Sequence, residues 1–138
     1  MLSLLTIKNI FLIEYVELEF KPGLNTLTGE TGVGKSVLLD CLGFVLGWKT
    51  SSNLLRDSRN VGEVVAEFSI VSNQDVALIL KDCGIEHGGT VLIRRTISEQ
   101  DGRKRNFIND KMVSLDLIKR ISINLIELQD QTGTQILS

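Results

Sequence analysis

One histidine and two cysteines are too few for a structural zinc site, which needs about four ligands at short spacings. His87 sits among glycines, and Cys41 and Cys83 lie far apart with no metal-ligand spacing around either. Cys41 falls inside a predicted helix, where a small buried thiol is the expected role, and two unpatterned cysteines suit a reducing cytoplasm. Charge of one sign is also scarce. The formal net charge of −2 gives no overall attraction to nucleic acid, so such a contact must come from a local patch. The apolar opening, residues 1–13, is interrupted by Lys8 and Asn9 and has no basic stretch before it. It makes a poor signal peptide and is too short for a membrane span, so the expected location is cytoplasmic with no membrane partner. Internal repeats, low-complexity tracts and heptads are lacking too. A chain of 138 residues is one domain or part of one. At that size roughly two thirds of the unfolded surface can be buried.

What the sequence does contain is Gly29-Glu30-Thr31-Gly32-Val33-Gly34-Lys35-Ser36, which matches the phosphate-binding pattern G-x-x-x-x-G-K-[ST]. The context suits the mechanism, with a potential strand over residues 24–28 before it and an apolar segment of helical spacing after it. Glycines at 29, 32 and 34 let the loop turn successive backbone N–H groups inward. Those amides and the positive end of the next helix make a cradle for a polyphosphate. Lys35 would extend to the β- and γ-phosphates, and the Ser36 hydroxyl would ligate Mg²⁺. The bland alternative is a glycine-rich strand-to-helix turn with a solvated lysine. Strand before and helix after favour nucleotide binding, although these eight residues do not specify the base.

Around this loop the patterning predicts an α/β fold. Residues 2–8 and 14–20 read as an antiparallel hairpin, the second strand alternating Tyr15, Glu17 and Glu19 with Val16, Leu18 and Phe20. Glu14, Glu17 and Glu19 read as a solvated strand face rather than a metal cluster. A helix is predicted over 35–46 from the stripe Val37, Leu38, Cys41, Leu42, Val45 and Leu46, with Gly47 as its cap. Residues 48–60 read as a polar surface loop. A strand over 63–71 buries Val64, Ala66, Phe68 and Ile70, and a short helix over 74–82 ends at Gly84. Residues 91–98 and 103–108 form a hairpin through Asp101-Gly102, and Asn109-Asp110-Lys111 is another tight turn. A helix follows over 114–121 with Ser114 as N-cap, then a final apolar strand over 123–128.

Arg94, Arg95, Arg103, Lys104 and Arg105 gather on the 91–108 hairpin and are candidates for tracking DNA phosphates. The alternative is an exposed hairpin whose charges balance Glu99 and Asp101 and discourage edge pairing; no aromatic is interleaved to stack bases.

Four phrases together carry a more specific signal. They are Leu5-Thr6-Ile7-Lys8-Asn9, Pro22-Gly23-Leu24-Asn25-Thr26-Leu27-Thr28-Gly29-Glu30-Thr31-Gly32, Arg105-Asn106-Phe107-Ile108-Asn109-Asp110-Lys111 and Leu125-Ile126-Glu127-Leu128-Gln129-Asp130-Gln131. In these the chain resembles the start of the RecN family, bacterial DNA-repair ATPases of the SMC-like branch of ABC-type ATPases. The resemblance implies a P-loop NTPase fold, the N-terminal lobe of an ABC/SMC-like head with a mixed, partly antiparallel sheet. Residues 1–138 then correspond to the head from Walker A to the Q-loop. The coiled coil and the C-terminal half of the head lie outside them.

The resemblance further implies ATP and Mg²⁺ as ligands held by residues 29–36. Gln131 is implied as the Q-loop glutamine contacting Mg²⁺ and the attacking water, and Arg56 as an arginine near the phosphates. Implied partners are the C-terminal half of the same head, a second head in a homodimer, and DNA through the full protein, with nucleoid association when acting on it. The sequence departs from the family in its histidine-free segment 129–135 and in its 48–60 loop. It contains no Leu-Ser-Gly-Gly signature, D-loop or switch histidine. Binding of ATP without turnover is therefore expected of these residues alone, and marginal stability or self-association is expected if the Walker A strand is left with an open edge. Two other readings stay open. One is a complete small P-loop kinase or GTPase using Glu127 or Asp130, at the end of the 123–128 strand, to hold Mg²⁺. The other is a non-catalytic interaction module with nucleotide as a structural ligand.

Overall fold

The computed structural model describes residues 1–20, 34–48, 54–100 and 102–131, with backbone alone for 126–131. The expected strand over 24–28 and residues 29–33 of the loop lie outside the described residues, as do Asp101 and residues 132–135.

Six strands form one sheet in the order β2-β1-β3-β4-β5-β6, with every neighbouring pair antiparallel. They are β1 (Leu2–Ile10), β2 (Ile13–Glu19), β3 (Gly62–Ser69), β4 (Thr90–Ile97), β5 (Lys104–Ile108) and β6 (Lys111–Met112). Three helices accompany them: α1 (Lys35–Val45), α2 (Gln74–Asp82) and α3 (Leu115–Gln131). No described helix is long and apolar enough to cross a membrane.

Period-two alternation sets which sheet face meets the helices. Leu5, Ile7, Val64, Ala66, Phe68, Val91 and Ile93 point to one side and are buried. The register stacks Leu5 beside Ala66 and Ala66 beside Ile93, so apolar side chains from three strands form one continuous surface. Against it packs α1, which buries Leu38, Cys41, Leu42, Phe44 and Val45. Burial pushes the Cys41 thiol up to about 12. Cys83 is only partly buried. A thiol-reactive dye is therefore expected to label one cysteine per folded chain, at position 83, and both after denaturation.

Helix ends obey local chemistry. Asn73 caps α2 by accepting from the Val76 amide at 3.1 Å. Gly84 closes it in the left-handed region at φ +70, with Ile85 N–H donating to Leu80 O at 2.9 Å. Asn109 and Asp110, at φ 49 and 66, make the two-residue turn that folds β6 back on β5, a strand too short to read from sequence.

The expected strand over 123–128 is not formed. Those residues continue α3 through Gln131. Ile118, Ile121 and Leu125 are buried at helical spacing while Ile123 is 59% exposed, so period 3.6 governs this segment. The Ser122 hydroxyl fixes it, donating to Ile118 O and Leu46 O at 2.7 and 2.9 Å.

Gly62 occupies a crowded point in β3. A Cβ there would lie 2.6 Å from Leu55 Cδ2, 2.7 Å from Ile10 Cδ1 and 3.0 Å from Asn9 O. Gly62→Ala is expected to cost about 1–2 kcal/mol in a denaturant titration, because Ile10 is wholly buried and has little room to move.

Candidate nucleotide site and its supports

Helix α1 begins where the motif requires. Gly34 is its N-cap residue with extended backbone (φ −78, ψ 161), and the Gly34 carbonyl accepts the Leu38 amide at 3.2 Å. Among the described residues no side chain caps this end, and the first turn carries no acid. Lys35 and Ser36 are exposed, and burial of the helix starts only at Leu38. The positive helix end, a cation and a hydroxyl are thus presented together, a donor set that suits a phosphate with its Mg²⁺. Nothing lies within 4 Å of where a Gly34 Cβ would be, leaving that approach open on the described side. Gly29, Glu30, Thr31, Gly32 and Val33 lie outside the described residues.

The opposite end of α1 is anchored in four ways. Gly47, at φ +86, ends the helix with Gly47 N–H donating to Phe44 O and Trp48 N–H to Gly43 O, at 3.2 and 2.8 Å. The Ser122 hydroxyl from α3 donates to Leu46 O. Arg95 from β4 donates through Nη1 to Phe44 O at 2.6 Å and through Nε to Asn106 Oδ1 at 2.7 Å. Its guanidinium lies 4.5 Å above the Phe44 ring. A cation at a helix C-terminus complements the dipole there.

This removes Arg95 from the candidates for DNA contact, since it is 5% exposed and faces the core. The reason is alternation: of two consecutive arginines on a strand, one must point inward. Arg94 points outward, where it pairs with Glu63 at 3.4 Å and stacks over Phe107 at 4.0 Å. Arg103 and Lys104 are exposed, Arg105 partly so, and Arg103 and Arg105 have partners of their own.

Arg56 lies on the loop between α1 and β3 and is exposed. Its backbone is held, with Arg56 N–H donating to Asn9 O at 3.2 Å. Next to it the Asp57 carboxyl is lowered to about 2, chiefly by hydrogen bonds from the Arg59 side chain. No local sequence pattern marks Asn9, yet its side chain both donates to and accepts from this loop. Gln131 is the last residue of α3. Glu127 and Asp130 lie within the same helix and not at a strand end, so the geometry expected for a Walker B carboxylate in a self-contained kinase or GTPase is not formed.

Comparison with known proteins gives a consistent answer. DNA repair protein RecN of Rickettsia prowazekii (strain Madrid E) is 39% identical over 129 residues, covering 94% of this chain and 23% of that protein. DNA repair protein RecN of Xylella fastidiosa (strain Temecula1) is 35% identical over 137 residues, covering 99% of this chain and 24% of that protein. The chain thus spans about a quarter of the length of the relatives it matches. Among solved structures, the Pyrococcus furiosus Smc head domain with an extended coiled coil, bound to the C-terminal domain of ScpA, is similar at TM-score 0.64 and 26% identity. That likeness covers 89% of this chain and 32% of that one. A structure from work on ATP-driven dimerization and DNA-stimulated activation of SMC ATPases is similar at TM-score 0.65 and 24% identity, covering 91% of this chain and 79% of that one. The fold is therefore that of an SMC-like P-loop head lobe. The AAA domain family model matches residues 4–137, nearly the whole chain, and the chain belongs to that family.

Proposed function

We propose that this chain is the ATP-binding segment of a RecN-like protein acting in DNA double-strand-break repair and recombination in the bacterial cytoplasm, associated with the nucleoid when it acts on DNA. The observation that carries the reading is the start of α1 immediately after the glycine loop, with exposed Lys35 and Ser36 and no acid in the first turn. In this reading the amides of residues 29–34 surround the phosphates, and Lys35 offsets charge on the β- and γ-phosphates. Ser36 would ligate Mg²⁺, which supplies further neutralisation of phosphate charge when bound. Gln131 would orient water at the metal and Arg56 would contact the phosphates. Among the described residues no group of three His, Cys, Asp or Glu comes together to hold a metal without the nucleotide's oxygens.

Positioning a triphosphate is only part of hydrolysis. Within the 138 residues the sequence contains no Leu-Ser-Gly-Gly signature, and its Glu127 sits mid-helix. Hydrolysis accordingly requires the C-terminal half of the head and a second head, with DNA engaged by the assembled protein. Phosphate release by this chain is expected to equal that of its Lys35→Ala variant, and to rise when a separately expressed C-terminal half is added. Turnover by the chain alone, lost in Glu127→Gln or Asp130→Asn, would instead support a self-contained enzyme. Stabilisation by ATP with no release even after adding the other half would support a non-catalytic module.

A further inference from the structure

The corner where β1 meets the loop after α1 is built at some conformational cost. Asn9 and Phe11 are non-glycine residues in the left-handed region, at φ 56 and 53. Asn9 is 8% exposed and every hydrogen-bonding atom of its side chain is used on the loop. Its Nδ2 donates to Asp57 O and Asn60 O at 2.9 and 3.0 Å, and its Oδ1 accepts the Asp57 amide at 2.9 Å. Its own carbonyl accepts the Arg56 amide at 3.2 Å. Phe11 N–H donates to Leu54 O at 2.6 Å, and Leu55 bridges Ile10. The absence of a Cβ at Gly62 makes room for Leu55 and the Asn9 carbonyl.

Two of the Asn9 bonds take the amides of the peptide units that flank Arg56, on Asn9 O and Oδ1, and the other two hold the Asp57 and Asn60 carbonyls that follow. Asp57 is turned back onto Arg59 by a two-pronged ion pair, so the other charged side chains among the described residues of the loop satisfy each other. Arg56 alone among them is exposed with no side-chain hydrogen bond or ion pair among the described residues. A buried amide that spends all its polar atoms on the backbone around one exposed guanidinium has the form of a support for that guanidinium.

We propose that Asn9 is a positioning residue which fixes the backbone at Arg56 so that its guanidinium is held ready for an anionic ligand, the triphosphate of ATP. The proposal rests on the nucleotide reading given above for Arg56. Its own content is the coupling between Asn9 and Arg56.

Asn9→Gly tests it, since glycine keeps the left-handed backbone and deletes only the side-chain bonds. Asn9→Asp, which keeps the acceptor for Asp57 N–H and loses both donors, is a second variant if the first melts too low. Amide hydrogen exchange is expected to be about tenfold faster at Asp57 and Arg56 in Asn9→Gly, with β3 and β4 amides unchanged. Calorimetry with ATP–Mg²⁺ is expected to show Asn9→Gly and Arg56→Ala each weakening affinity about tenfold, and the double variant no further. Unchanged exchange in the loop, equal acceleration throughout the sheet, or additive affinity losses would each overturn the proposal. Absence of ATP binding by the wild-type chain would remove the nucleotide reading itself, while the exchange arm would still decide whether Asn9 clamps the loop.

Discussion

Arg95→Ala is expected to destabilise the folded chain by about 3 kcal/mol, read as a lower denaturant midpoint with unchanged slope. The guanidinium is nearly fully buried with no carboxylate paired to it among the described residues, and burial lowers its pKa. Its charge is tolerated because two neutral oxygens and a ring face surround it, namely Phe44 O, Asn106 Oδ1 and the Phe44 ring. Removing it opens a cavity between α1 and the sheet and leaves Asn106 Oδ1 without the donor it faced. Phe44 O keeps the Gly47 amide, so that oxygen loses one of two donors rather than its only one. The partition is checkable. Arg95→Met refills most of the volume and should recover part of the loss, and adding Asn106→Leu should recover more by removing the stranded acceptor. If Arg95 were a surface residue with a role in DNA contact, Arg95→Ala would change stability by less than about 0.5 kcal/mol.

Lys35→Ala is expected to weaken ATP–Mg²⁺ binding about a hundredfold or more while leaving stability without ligand nearly unchanged. The side chain is exposed at the first turn of α1, so its loss removes little packing. It is also the one cation in that turn, and in its proposed role it meets a ligand whose charge is concentrated on the terminal phosphates. Mass action turns this into a melting experiment. With ATP at about a hundred times the wild-type dissociation constant, bound ligand stabilises by about 2.7 kcal/mol; at the same concentration a hundredfold-weaker variant retains about 0.4 kcal/mol. A ligand-induced rise in melting temperature that survives in Lys35→Ala would place ATP elsewhere.

Most of the sheet was legible from residues 2–20 and 63–108 because each strand there buries one face, and alternation then reports both the strand and its orientation. Helix α2 was legible for a different reason, a short apolar stripe closed by Gly84. Two failures share a cause. The segment after Ile121 concentrates isoleucine and leucine over a few positions, and such a run suits a buried strand or a helix equally until the neighbouring surface is known. Contact of Ser122 with Leu46 O decides for the helix, and that contact joins residues far apart in sequence. Arg95 departs from the solvent-facing place expected of a charge, because its pairing with Asn106 depends on β4 and β5 register.

The site was legible in part. Motif spacing located the loop and the helix start, and α1 begins at Lys35 as that spacing required. Asn9 and Asn106 both fall inside the phrases that resemble RecN, yet no local pattern tells what an isolated asparagine bonds to. Their partners, Asp57 and Arg95, come from other elements of the fold.

The most direct test of the account is a calorimetric titration of ATP–Mg²⁺ into the folded chain. One equivalent of ATP bound per chain is the predicted result. A chain shown to be folded by its far-ultraviolet spectrum and cooperative melt, yet giving no binding heat at any temperature tried and no protection by ATP, would contradict it.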